Sequence, residues 1–133
     1  MEAKKKIGYA VLGLGIGMAH AEAAAASENA LLVALCDKDE KRLHRAAEQY
    51  PDAVCYTEAD ALFADPNVDV VSICLPSAMH ADYAVRAMEA GKHVLVEKPI
   101  DITCEQAKRI EEARHRTGKR CGVVVQNRYN LNM

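Results

Sequence analysis

The sequence predicts an α/β domain with a doubly wound parallel sheet of six main strands in the order 3-2-1-4-5-6. Three observations predict it. Strand-like and helix-like segments alternate along the chain, and the strand-like runs are almost continuously apolar, as is usual when helices cover both faces of a sheet. The first strand also leads through a glycine-rich turn into a helix. In such a sheet the ligand crevice lies beside strands 1 and 4, where the direction of winding changes.

The predicted strands are short apolar runs separated by helical segments. They occupy residues 7–12, 31–36, 53–56, 68–75, 94–96 and 121–125. An alanine-rich helix at 18–28 follows the first strand, and Pro51 stops the second helix. Thr57 is the predicted N-cap of a brief third helix at 58–63. The apolar face of the second helix consists of Leu43, Ala46, Ala47 and Tyr50.

The last two helices each carry an apolar face at helical spacing and end at a glycine. Gly91 and Gly118 are suited to the C-terminal caps, where a left-handed backbone is common. Thr103 and Gln106 form a capping-box pattern at the start of the fifth helix. The inward positions are Ala81, Ala84, Val85 and Met88 in the fourth helix, and Ala107, Ile110 and Ala113 in the fifth.

Length and composition fit one ordinary domain. The chain has 133 residues, of which 50% are hydrophobic and 27% charged, so a core can form and disorder is not expected. A formal net charge of -2 gives no support for nucleic-acid binding, which usually requires a basic face. No apolar run approaches the roughly 20 residues of a membrane span. We therefore expect neither a nucleic acid nor a membrane as partner.

The cysteines indicate a reducing compartment. Five of them are widely spaced, and they include no CxxC pair, which argues against a disulfide framework and against a zinc site. Cys36, Cys74 and Cys121 lie in apolar runs, where thiols behave as small hydrophobic groups. We predict a cytoplasmic protein without a metal site.

The turn after the first strand is the candidate phosphate-binding loop. Gly13, Gly15 and Gly17 allow a tight turn and a close approach of a diphosphate, whose charge is favoured at a helix N-terminus. The third glycine of the usual GxGxxG pattern falls on Met18, so a purely structural turn stays open. No Gly-Lys-Ser/Thr follows, which disfavours an ATPase.

Asp37, at the end of the second strand, is the candidate ligand of the adenosine ribose. It lies 24 residues after Gly13, close to the spacing at which an acid receives the ribose hydroxyls. The alternative role is the N-cap of the next helix, which Asp39 could fill instead. An acid here would repel a 2'-phosphate and favours NAD over NADP, although Lys38 and Arg42 could compensate a phosphate.

The loop after the fourth strand is expected to touch the nicotinamide half of the cofactor. It contains Cys74, Leu75 and Pro76, and the carboxyl ends of parallel strands open onto the crevice. His80 begins the next helix near the site. We interpret it as a cofactor contact, with an ordinary surface histidine as the alternative.

A charged pair, Glu97-Lys98, followed by Pro99, ends the fifth strand. Charges directly after a buried strand are disfavoured unless solvent, a partner or a ligand receives them. A solvated strand end is one interpretation. The functional one places the Lys98 ammonium against a substrate oxygen, where it stabilises the alkoxide that develops during hydride transfer.

Together these motifs resemble the N-terminal domain of the Gfo/Idh/MocA oxidoreductase family, the relatives of glucose–fructose oxidoreductase and inositol 2-dehydrogenase. The resemblance covers essentially the whole chain, in the expected order. Its segments are the glycine turn with His20, Asp37, the Pro76 to His80 loop, Glu97-Lys98-Pro99 and the closing Gln126-Asn127-Arg128-Tyr129.

The resemblance implies a Rossmann fold, NAD or NADP as cofactor, and oxidation of a sugar or polyol CH–OH group. It also implies that Lys98 is the catalytic lysine and that the Lys98-Pro99 bond is a candidate cis peptide. The predicted cofactor contacts are Gly13, Gly15, Ile16, Gly17, Met18, Asp37, Cys74, Leu75, Pro76, His80, Glu97, Lys98 and Asn127.

Members of that family continue into a second α/β domain, which supplies most substrate contacts and a catalytic histidine and is absent here. We therefore predict a dinucleotide-binding domain at residues 1–126, a connecting stub at 127–133, and little or no turnover by this chain alone. Self-association into a homo-oligomer is expected if the uncovered surface is apolar.

Two other functions stay open. An S-adenosylmethionine-dependent methyltransferase also uses a GxGxG turn and an acid after the second strand, but it predicts an antiparallel last hairpin. It also gives no role to Glu97-Lys98-Pro99. A non-enzymatic dinucleotide-binding module is the second alternative.

Overall fold

The computed structural model describes residues 6–98 and 103–124. The predicted stub at 127–133, with Asn127, and the predicted cis bond to Pro99 lie outside the described residues. The strands are β1 (Ile7–Leu12), β2 (Ala30–Cys36), β3 (Val54–Tyr56), β4 (Val70–Ile73), β5 (His93–Glu97) and β6 (Cys121–Val124). The α-helices are α1 (Gly17–Ala26), α2 (Glu40–Gln49), α3 (Ala59–Phe63), α4 (His80–Glu89) and α5 (Cys104–Thr117).

The strands form one sheet in the order β3-β2-β1-β4-β5-β6, which confirms the predicted topology. Each of the five neighbouring pairs is parallel. The chain runs outward from β1 to β2 and β3, and then returns to place β4 on the other side of β1. The carboxyl ends of β1 and β4 therefore flank the point where the winding direction changes, and loops diverge there to leave a crevice.

Helices cover the sheet on both faces. Buried residues of α1 and α2 pack on one face, and those of α3, α4 and α5 pack on the other. Successive side chains of β1 point to opposite faces of the sheet. Ala10 and Leu12 pack with α3, α4 and α5, whereas Val11 packs with α1 and α2. Burial on both faces is the physical reason why this strand is a continuous apolar run in the sequence.

Two details at the element boundaries correct the sequence analysis. Thr57 is not the N-cap of α3, because that helix begins at Ala59 and its N-cap position falls on Glu58, without a side-chain cap. The fourth strand is also shorter than predicted. The N–H of Cys74 still donates to the Leu12 carbonyl at 2.8 Å, but the chain then turns away at Pro76.

The predicted ends of α5 are confirmed. The Thr103 hydroxyl accepts a hydrogen bond from the backbone N–H of Gln106 at 3.1 Å. Gly118 closes the helix with a φ of 71°, in the left-handed region that glycine adopts without strain.

Lys92 is a buried lysine that fastens the loop between α3 and β4. It is 7% exposed, and its Nζ donates to the carbonyl oxygens of Asp65 and Val68, both at 2.8 Å. Lys92→Met retains a long side chain but cannot donate. We expect it to lower the free energy of unfolding by about 2–4 kcal/mol, because hydrogen bonds from a charged donor are lost in a buried place.

Urea unfolding measures this effect, with Lys108→Met on the exposed surface of α5 as the matched control. The control is expected to change stability by less than about 0.5 kcal/mol. Equal losses in the two variants would contradict the role given to Lys92.

Candidate functional site

The glycine turn is held against β4 and β1 by contacts that exclude a side chain at two positions. Gly13 has a φ of 95°, and a Cβ there would lie 2.6 Å from the carbonyl oxygen of Cys74. A Cβ on Gly17 would lie 2.7 Å from Cγ1 of Val11. The first glycine therefore makes the tight turn, and the last one allows α1 to approach the sheet closely.

Gly15 has a different environment, with an exposed backbone. The nearest group to a Cβ added there would be the Arg42 guanidinium at 3.4 Å. This glycine leaves the turn open to a ligand. The three glycines thus have the local geometry that a dinucleotide-binding turn requires, and Gly17 is the one that allows close helix packing. Met18, one residue later, is half-buried and packs against the core on the α1 side.

The N-terminus of α1 is suited to an anion. Ile16 occupies its N-cap position, no side chain caps the helix, and the first turn contains no acidic residue. The N–H groups and the helix dipole at such an end attract phosphate.

Asp37 is fixed in an extended loop beside the turn. Its Oδ2 accepts the N–H of Leu14, and its Oδ1 accepts the N–H of Asp39, both at 2.8 Å. The N-cap of α2 is Asp39, whose side chain accepts from the N–H groups of Lys41 and Arg42. Each oxygen of an ionised carboxylate has further lone pairs, so Asp37 can also accept hydroxyl donors from a ligand.

A crevice of about 450 Å³ lies at the carboxyl ends of β1, β2 and β4. This volume falls in the range of roughly 300–1,000 Å³ that is usual for ligand sites. The predicted residues that line it are Gly13, Gly15, Ile16, Asp37, Cys74, Leu75 and Pro76. The structure therefore brings the turn, the acid after β2 and the loop after β4 together around one space.

Other lining residues were not among the predicted cofactor contacts. Lys38 and Arg42 add positive charge to the crevice, and Met79 and Tyr83 add apolar and aromatic surface. The Arg86 guanidinium carbon lies 4.7 Å from the centroid of the Tyr83 ring, and this cation–π contact stabilises the position of the ring. An aromatic residue in the first turn of the helix after the crevice loop is the sequence signal that could have indicated it.

Two cysteines, Cys36 and Cys74, line the crevice, and their thiols are poor nucleophiles. Burial is the main reason why the pKa of the Cys36 thiol rises to about 12, and the Asp37 and Glu58 carboxylates add to it. Burial also raises the pKa of Cys74 to about 12, although a hydrogen bond with Ser72 opposes the change. Both thiols are protonated near neutral pH and behave as small apolar groups.

A larger and more open cavity of about 760 Å³ lies at the opposite end of the sheet, where Asp69, His93 and Arg120 line it. Neither the glycine turn nor a helix N-terminus borders it. Because ligands of open α/β sheets bind at the carboxyl ends of the strands, we place the site in the smaller crevice.

The remaining predicted residues lie around the crevice without lining it. His80 is buried, and its Nε2 donates to the carbonyl oxygen of Leu75 at 2.7 Å, which fastens the loop after β4. Glu97 is buried, and its Oε1 accepts a hydrogen bond from Nε2 of His20 at 2.5 Å. Lys98 is exposed at the carboxyl end of β5 and makes no hydrogen bond or ion pair with the described residues. Cofactor contacts of these residues stay predictions.

Among residues 6–98 and 103–124, no group of three His, Cys, Asp or Glu side chains is arranged to hold a metal ion. None of the helices in the same ranges has the length and apolar character needed to cross a bilayer.

A doubly wound parallel sheet with this glycine turn, and an acid at the end of β2, defines a nucleotide-binding domain of the Rossmann type. The chain belongs to the Gfo/Idh/MocA oxidoreductase family, whose NAD-binding Rossmann-fold model matches residues 7–125. Residues 7–125 are the NAD-binding Rossmann domain of that family.

Similar proteins include dehydrogenases of sugars and polyols. The chain is 34% identical to D-glucoside 3-dehydrogenase of Escherichia coli over 100 residues, which are 75% of this chain and 28% of that protein. It is 36% identical to myo-inositol 2-dehydrogenase of Thermotoga maritima over 103 residues, which are 77% of this chain and 31% of that one.

Among solved structures, the WlbA dehydrogenase of Bordetella pertussis in complex with NADH and UDP-GlcNAcA superposes with a TM-score of 0.90 and 32% identity. The superposition covers 96% of this chain and 39% of that one. The chain thus spans about a third of the length of the proteins that it resembles.

Proposed function

We propose that this chain is the cofactor-binding part of an oxidoreductase that acts on a sugar or polyol CH–OH group. The observation that carries the proposal is the placement of Asp37 in the same crevice as an uncapped helix N-terminus and an open glycine turn. An anionic diphosphate fits the turn, and ribose hydroxyls can donate to the carboxylate. The substrate class is supported by the similarity of this chain to the D-glucoside and myo-inositol dehydrogenases.

NAD is the proposed cofactor in preference to NADP. Two backbone N–H groups hold the Asp37 carboxylate in the crevice, where it would accept the 2'-hydroxyl of NAD and repel the 2'-phosphate of NADP. Lys38 and Arg42 line the same space and reduce this preference. Arg42 is partly neutralised, because its Nε lies 3.8 Å from Oδ2 of Asp39.

Lys98 is the proposed catalytic residue. A bound nicotinamide would supply the hydride chemistry, as the acceptor or donor of a hydride for the substrate carbon. Lys98 is exposed at the end of β5, next to the strand that leads into the crevice loop. Its ammonium would hold the hydroxyl oxygen of the substrate and stabilise the negative charge that develops there.

The methyltransferase alternative predicts an antiparallel hairpin at the end of the sheet. Pairing of β5 with β6 is parallel, as is that of every other described strand pair, which supports the dehydrogenase instead. We also propose a cytoplasmic location, supported by five free cysteines.

Calorimetric titration of the 133-residue chain with NADH, NADPH and S-adenosylmethionine tests the proposal. We expect NADH to bind with a Kd below about 1 mM, since even a partial site can supply about 4 kcal/mol. NADPH should bind more weakly, and S-adenosylmethionine should give no heat. The reverse order for NADH and S-adenosylmethionine would favour a methyltransferase.

We propose that most of the residues that contact the substrate belong to a second domain, as the family resemblance implies. These 133 residues alone should therefore bind the dinucleotide and turn over little or no sugar or polyol. A normal dehydrogenase rate with inositol or a glucoside, measured by NADH absorbance, would contradict this part of the proposal. A non-enzymatic module predicts no gain of activity when the second domain of a relative is added.

A further inference from the structure

A buried hydrogen-bond network joins α1 to β4 and β5 behind the glycine turn. His20, in the first turns of α1, contacts Oγ of Ser72 through Nδ1 at 2.5 Å and Oε1 of Glu97 through Nε2 at 2.5 Å. The His20 and Glu97 side chains are 11% and 8% exposed, and Ser72 is fully buried. Both ring nitrogens are engaged, so the imidazole has a single orientation.

The chemistry of the partners limits the direction of these hydrogen bonds. The Glu97 carboxylate accepts, so Nε2 of His20 donates to it. The second hydrogen bond joins Nδ1 of His20 to the Ser72 hydroxyl, a group that can serve as donor or acceptor.

Two further groups face the network. Burial raises the pKa of the Tyr9 phenol and the Glu97 carboxylate adds to this, while a hydrogen bond with Ser72 lowers it. The Cys74 thiol lies 3.7 Å from the Ser72 hydroxyl. The Ser72 hydroxyl therefore has polar neighbours besides the His20 imidazole.

Ser, His and Glu are also the residue types of a hydrolytic triad, but this network cannot act as one. Ser72 lies inside β4 with no exposed surface, so its hydroxyl cannot reach a substrate carbonyl. A nucleophile must contact its substrate. The function of the network is therefore to hold the elements that carry it.

We propose that His20 is a positioning residue for Lys98. Glu97 directly precedes Lys98, and His20 belongs to the helix that begins at the glycine turn. The bond between them sets the end of β5 relative to the N-terminus of α1, and so sets the distance between the ammonium and the pyrophosphate site. This inference rests on the proposed function, in which Lys98 lies at the nicotinamide half of the cofactor.

Titrations with NADH and with ADP-ribose separate the two halves of the site. ADP-ribose carries the adenosine and the diphosphate but lacks the nicotinamide. We expect His20→Gln to weaken NADH binding about tenfold while changing ADP-ribose binding less than about twofold, the effect of losing about one hydrogen bond in the nicotinamide half. Equal losses for both ligands, or no loss for NADH, would overturn the proposal.

Glu97→Gln is the second variant, because it retains an acceptor oxygen for Nε2 of His20. Its selective loss of NADH binding free energy should be at most half of the loss caused by His20→Gln. If His20→Gln does not fold, the comparison of Glu97→Gln with Glu97→Ala carries the test, with the larger selective loss expected for alanine. His115→Gln, an exposed histidine of α5, is the matched control and should change neither affinity.

The combination with Lys98→Ala shows whether His20 acts through the lysine. Lys98→Ala alone should weaken NADH selectively, and His20→Gln should then add little further loss, as expected for coupled residues. Fully additive losses would overturn the positioning role. If the unmodified chain binds neither NADH nor ADP-ribose, the proposed function itself is wrong, which is a different outcome from equal losses in the variants.

Discussion

Gly13→Ala is expected to lower the free energy of unfolding by about 3 kcal/mol and to abolish NADH binding. The left-handed backbone of this residue costs a side chain about 1–2 kcal/mol. A Cβ would also lie 2.6 Å from the backbone carbonyl of Cys74, which cannot rotate away as a flexible side chain could. Relief of that clash would shift the glycine turn, where the N–H of Gly13 is held by the Cys36 carbonyl at 2.9 Å.

Gly91→Ala is the matched control for this variant. Gly91 has a similar φ of 90°, but a Cβ there would meet nothing within 4 Å, and the residue lies far from the crevice. It should cost about 1 kcal/mol, the backbone contribution alone, and leave NADH binding unchanged. Chemical unfolding and calorimetry measure the two effects. Equal losses of stability would show that the contact with Cys74 contributes nothing.

Asp37→Ala is expected to change the cofactor preference by about a hundredfold, from NADH towards NADPH. Loss of a charged acceptor weakens NADH by about 1.5–3 kcal/mol. Removal of the negative charge also leaves Lys38 and Arg42 free to attract the 2'-phosphate. The two contributions act on the ratio of the affinities in the same direction.

The ratio is the correct measurement, because Asp37→Ala also removes the acceptor of the Leu14 N–H and loosens the turn. A loosened turn weakens both dinucleotides alike and cancels in the ratio of their Kd values. Asp52→Ala is the matched control, since it removes an equal charge from an exposed position at the opposite end of the sheet. It should change the stability by less than about 0.5 kcal/mol and leave the ratio nearly constant. A similar change of ratio in both variants would show that only the net charge matters.

The glycine turn could be predicted only in part from the sequence. Three glycines between an apolar run and a helix predicted a diphosphate loop, but the residue in the place of the third glycine of the usual pattern, Met18, left its register open. The contact of Gly17 with Val11 assigns the packing role to Gly17. That assignment required the distance between a helix and a strand, which spacing along the chain does not contain.

Glu97 shows the opposite case. Its position at the end of a buried strand indicated a functional charge, and a contact with the cofactor was expected. In the structure its carboxylate accepts a hydrogen bond from His20, which is 77 positions away in the chain. Ser72 was only an apolar-strand residue in the sequence, yet it completes the same network. Side chains that meet across three elements leave no local pattern.

The sequence by itself determined the order of the sheet, the place of the crevice and the acid at its edge. These depend on local properties, which are apolar runs, caps, glycine turns and the handedness of parallel connections. Only the tertiary structure decided that Asp37 is held by the turn, that Tyr83 borders the crevice, and that His20 joins α1 to the strand of Lys98. Those contacts arise where elements distant in the chain pack against one another, so their geometry exists only after the chain has folded.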